Sequence, residues 1–130
     1  MNTSADILVL NTGSSSVKFA VFDAQLHERI SGVAEGIGAR GTLRIGAQKA
    51  ALDLPDHDQA IAAVLDRLTQ QGAGPNSLRA VAHRVVHGGQ TLTQPTRITP
   101  PVRAEIQACV PLAPLHNPHA LLALDALDHL

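Results

Sequence analysis

Ile7-Leu8-Val9-Leu10-Asn11-Thr12-Gly13-Ser14-Ser15-Ser16-Val17-Lys18-Phe19-Ala20-Val21-Phe22-Asp23 is an apolar run that breaks at a small, hydroxyl-rich turn and then resumes. The pattern predicts strand, tight turn, strand. Gly13 can take backbone angles closed to other residues, and three successive serines set hydroxyl donors beside main-chain N–H groups in one bend. Anionic oxygens suit such a bend. Lys18 adds a mobile positive charge and Asn11 an amide oxygen able to face a metal or its water shell, the set that a nucleotide phosphate with Mg²⁺ requires. A serine-rich hairpin turn that binds nothing is the competing reading. A Walker loop needs Gly-x-x-x-x-Gly-Lys-Ser/Thr opening a helix, and a dinucleotide fingerprint needs three spaced glycines; this turn has one glycine and continues as strand.

A second block, Ala80-Val81-Ala82-His83-Arg84-Val85-Val86-His87-Gly88-Gly89, is followed by a third, Leu112-Ala113-Pro114-Leu115-His116-Asn117-Pro118. In this order the three blocks resemble the amino-terminal part of the acetate and propionate kinase family, within the actin-like ATPase and sugar-kinase superfamily. Leu54-Pro55-Asp56-His57 ahead of a helix fits the same resemblance, which runs the length of the chain. It implies an α/β, ribonuclease H-like (actin-like ATPase) fold: a mixed sheet that begins with an antiparallel strand meander, is flanked by helices and is incomplete at its carboxyl end. Residues 1–130 then form one partial domain.

With 130 residues the chain can bury about two-thirds of its unfolded surface, enough for a core. Two phenylalanines and no tryptophan or tryptophan-like bulk from tyrosine make that core aliphatic. A net charge of −1 without a basic run gives no footprint for nucleic acid or an anionic membrane. Met1 to Asp6 has neither a basic nor a long apolar segment, and Cys109 is alone, so no internal disulfide forms; a cytoplasmic location is expected.

Alternation predicts strands over Ile7–Leu10 and Val17–Phe22, with weaker ones over Arg29–Glu35 and Thr42–Ile45, while Gly36–Gly46 reads as a loose turn. Asp56-His57-Asp58 caps a helix carrying Ile61, Val64, Leu65 and Leu68, which Gly72–Pro75 ends. Ala80–Val86 reads as a buried strand, Pro100-Pro101 opens a helix through Val102, Ile106 and Cys109, and Pro118 opens another. Leu121, Leu124 and Leu127 on that last helix are expected to lack packing partners and to promote self-association.

The resemblance implies reversible transfer of the γ-phosphoryl of ATP to acetate, giving acetyl phosphate and ADP. Arg84 matches the substrate-binding arginine, and Val86 and Leu115 match residues lining the methyl pocket. Asn11 carries over as a Mg²⁺-site residue, Lys18 as an ATP-phosphate contact, Ser14 and Ser16 as phosphate-loop donors, and His116 as a residue bordering the cleft. The family draws its catalytic aspartate, a phosphate-site histidine, a second arginine and a metal-binding glutamate from regions beyond Leu130, so no catalytic residue is assigned here. A homodimer is implied for the full-length enzyme. Duller roles stand beside these: Arg84 paired with a surface carboxylate, Lys18 solvated, Val86 and Leu115 in a core, His116 capping a helix, Asn11 closing its own turn.

Seven histidines invite a metal-site reading, but His83 and His87 on one extended strand would be roughly 13 Å apart, too far to share an ion. Two classes of function stay open: a short-chain carboxylate kinase acting on acetate, propionate or a similar acid, and a truncated, non-catalytic folding or binding unit.

Overall fold

In the computed structural model, residues 6–74, 77–85, 92, 94–112, 117–118, 121 and 124 are described. Among them the predicted meander is present: β1 (Asp6–Thr12), β2 (Ser16–Phe22), β3 (Glu28–Glu35), β4 (Ala39–Ile45) and β5 (Gln48–Leu54) pair successively as antiparallel neighbours. Helix α1 (His57–Gln70) follows, and β6 (Leu78–His83) then pairs in parallel with β1. The sheet order is β5-β4-β3-β2-β1-β6, so five antiparallel strands and one parallel strand make a mixed sheet.

Alternation along the strands sends one set of side chains to α1. Leu8, Leu10, Val17, Phe19, Val21, Ala34, Leu43, Ile45 and Leu54 face inward and meet Ala60, Ile61, Val64, Leu65 and Leu68 of the helix. Each such aliphatic side chain contributes about 1.5–3 kcal/mol of transfer free energy when fully buried, so the apolar stripe of α1 holds it to the sheet. Asp56 is the N-cap and accepts from the Gln59 N–H at 2.8 Å.

Gly36–Gly46 is not a loose turn. Ala39–Ile45 is a paired strand, and Gly41 is required inside it because a Cβ there would overlap the Glu35 carbonyl across the ladder. β5 has no counterpart in the sequence expectations, since Gln48-Lys49-Ala50-Ala51 is poor in β-branched residues and forms a half-exposed edge. β6 ends at His83 and is only half-buried, because it too stands at an edge.

Helix α2 (Pro100–Ala108) begins at the predicted proline pair, capped by Thr99. Pro118, Leu121 and Leu124 are helical. Leu121 and Leu124 are 6% and 5% exposed and cluster with Ile106, contrary to the expectation that they lack partners; Leu127 lies outside the described residues.

Candidate functional site

Strand register decides which predicted site residues can act together. Leu8, Leu10 and Thr12 of β1 point toward α1, so Ile7, Val9 and Asn11 point to the opposite face. Asn11 pairs with Lys18, Lys18 with Val33, and Val33 with Arg44. On the other side His83 pairs with Leu10, and the next residue, Arg84, donates its backbone N–H to the Leu10 carbonyl at 2.9 Å. Arg84 is the first residue past β6, and this bond sets its backbone beside Asn11. Asn11, Lys18, Val33 and Arg44 therefore form one row across the sheet, with the Arg84 backbone at its Asn11 end, roughly 10 Å from Lys18 at Cα, two strand spacings.

The serine turn stands at the end of this row. Gly13 N–H donates to the Ser16 carbonyl at 2.7 Å, closing the turn, and the Ile37 N–H donates to the Ser15 carbonyl at 3.0 Å, fastening it to the β3–β4 connection. His57, the first residue of α1, places Nε2 2.7 Å from the Gly13 carbonyl. With its N–H and its carbonyl both engaged, Gly13 is fixed, and Ser14 and Ser15 are left exposed beyond it. Gly13 has no positive φ, and a Cβ built on it would come within 3.2 Å of Ser16 Oγ.

A cleft of about 520 Å³ opens on the same face, lined among others by Ser15, Ser16, Lys18, Ser31, Glu35 and Arg44. Among the described residues Lys18, Arg44 and Arg84 make no ion pair, and all three are exposed. Such cations are available to an anion. Asn11 is half-buried between two of them, and among the described residues no group of three or more His, Cys, Asp and Glu side chains is close enough to hold a metal ion.

Asn11, Lys18, Ser14, Ser16 and Arg84 are thus brought to one end of the sheet, while Val86, Leu115 and His116 lie outside the described residues. Arg44 lies on the strand predicted over Thr42–Ile45, and Ser31 and Glu35 on the one predicted over Arg29–Glu35, but nothing in the sequence sets them beside Lys18, because that placement comes from the pairing of β2, β3 and β4. The link from His57 to Gly13 joins residues 44 positions apart and has no sequence signal.

The sequence model of the Acetokinase family matches residues 6–130. An acetate kinase of Deinococcus deserti is 44% identical over 124 residues, which are 92% of this chain and 31% of that protein. An acetate kinase of Chromobacterium violaceum is 42% identical over 130 residues, covering 95% of this chain and 32% of its own length. Among solved structures, a propionate kinase from Francisella tularensis superposes with a TM-score of 0.88 at 32% identity, covering 96% of this chain and 34% of that one. Acetate kinase from Porphyromonas gingivalis also gives 0.88, at 35% identity, covering 97% and 34% respectively. The chain spans about a third of the length of the curated relatives it matches.

Proposed function

The chain belongs to the acetokinase family, and from that premise we propose that it supplies the phosphate-binding hairpin and the carboxylate-binding arginine of a kinase that transfers the γ-phosphoryl of ATP to acetate. The observation carrying this reading is the row that sets Arg84, Asn11 and Lys18 side by side at the open end of the serine turn.

Within this reading a carboxylate oxygen of acetate attacks the γ-phosphorus, the bond from that phosphorus to the β-bridging oxygen breaks, and acetyl phosphate and ADP leave. Transfer of this kind rests on positioning and on stabilising charge. The planar guanidinium of Arg84 grips both carboxylate oxygens and faces the charge that develops between acceptor and phosphorus. Lys18, the exposed hydroxyls of Ser14 and Ser15 and the half-buried one of Ser16 hold the phosphates from the other side. Bound Mg²⁺ would neutralise phosphate charge, and Asn11 is the residue here that would touch its water shell. The pocket for the methyl group falls to Val86 and Leu115, and His116 borders the cleft. On the same reading the protein is cytoplasmic, meets acetate and ATP as its small-molecule partners, and works as a homodimer.

The equal structural likeness to a propionate kinase favours a second choice of acid. One methylene is worth only about 1–3 kcal/mol of discrimination, so propionate is the natural competitor. The test is a chimera in which these residues replace the matching third of the D. deserti enzyme, assayed for acyl hydroxamate with acetate and with propionate. Activity with either acid supports the reading; a folded chimera at background with both sinks it.

A further inference from the structure

We propose that Arg44 is a second polyphosphate-binding cation, acting across β3 from Lys18, so that the anion lies along the cleft and does not end at the serine turn. The proposal deepens the kinase reading and rests on it. Lys18 and Arg44 both pair with Val33, from opposite sides, and therefore share its face. Their Cα atoms are two strand spacings apart, roughly 10 Å. A chain of phosphates can meet both along the cleft.

Three further features fit. Val33 between them is only 6% exposed although it lies on the open face, so the floor of the cleft is apolar and partly shielded from water, which strengthens charge–charge attraction above it. Ser15, Ser16 and Ser31 add hydroxyl donors along the same cleft. Neither cation is neutralised by an ion pair among the described residues. Glu35, which pairs with Ser16 and Thr42, is the one carboxylate among the described residues that line the cleft, and it opposes a bare anion. Its removal must therefore tighten binding if the anion lies where proposed.

The experiment titrates the isotope-labelled 130-residue chain with inorganic tripolyphosphate at low salt and follows amide resonances of Ser14, Ser15, Ser16 and Gly36. Arg44→Ala should weaken binding about fivefold, the scale of one exposed charge contact, with Arg44→Lys recovering most of the loss and Arg44→Gln none. Glu35→Gln should tighten it, and Arg67→Ala, on α1 across the sheet, should leave it unchanged. An unaltered affinity for Arg44→Ala beside a weakened one for Lys18→Ala overturns the proposal and leaves the hairpin reading standing. Equal weakening by Arg67→Ala overturns it as a bulk charge effect. No binding by the unaltered chain at millimolar tripolyphosphate overturns both.

Discussion

His57 Nε2 lies 2.7 Å from the carbonyl oxygen of Gly13, so the first turn of α1 holds the serine hairpin by its base. Replacing His57 by leucine leaves that part-buried carbonyl without its donor and should cost about 1–3 kcal/mol in urea unfolding. Glutamine, which retains an N–H donor, should recover part of the loss. Equal stability of the leucine variant and the parent would remove the bond from the account.

If, as proposed, the Arg84 guanidinium acts on the carboxylate and on developing charge, Arg84→Ala in the chimera should depress turnover far more than it changes the Michaelis constant for ATP. Lysine should rescue little, lacking the planar fork. Near-normal turnover with acetate after Arg84→Ala contradicts the assignment.

Asn11 and Lys18 are register partners, yet their substitutions should separate in steady-state kinetics of the chimera. Asn11→Ala should raise the Mg²⁺ requirement, and Lys18→Ala the Michaelis constant for ATP with less effect on acetate. Small and equal effects on every parameter favour a purely structural hairpin.

Gly32 pairs with Phe19, and a Cβ at Gly32 would overlap the Arg44 carbonyl and the Phe19 ring. Gly32→Ala should destabilise the chain by about 1–3 kcal/mol through overpacking, read as a lower urea midpoint. An unchanged midpoint contradicts the close approach.

Asp23 accepts the His27 and Gln25 N–H groups, each at 2.9 Å, in the β2–β3 turn. The His27 bond first, and the Gln25 bond and nearby positive charge after it, hold the carboxyl below its ordinary range. A carboxylate whose folded value is depressed stabilises the fold above its unfolded value, near pH 4, and loses that contribution as pH falls through the folded value. Stability should therefore drop on acidification below about pH 4, and Asp23→Asn should flatten that part of the profile. An identical acid limb in the variant removes Asp23 as its source.

The first hairpin, the capped helix and the proline-initiated helix were legible because each rests on local chemistry: alternation from Ile7 to Phe22, the Asp56 cap, and Pro100-Pro101 after Thr99. The open-face row was legible only in part. Asn11, Lys18 and Arg84 stood out by residue type and motif, whereas Arg44 depends on a register passed through Val33, and register is a property of paired strands that one strand's sequence does not carry. β5 stayed hidden because its alanines and polar residues give weak alternation, and it is held by pairing with β4.

The parallel pairing of β1 with β6 also bears on how the chain reaches its native state. Every strand pairing among β1 to β5 joins successive strands, while Ile7 and Ala80 meet from about seventy positions apart. Closing that long loop costs entropy which the hairpins do not incur. The serine turn and its cations therefore assemble on a meander able to form early, and Arg84 reaches Asn11 only when β6 docks. On the proposed function the two parts of the candidate site rest on contacts of different reach along the chain: Lys18 and the serine turn on a local hairpin, Arg84 on the long-range pairing of β6 with β1.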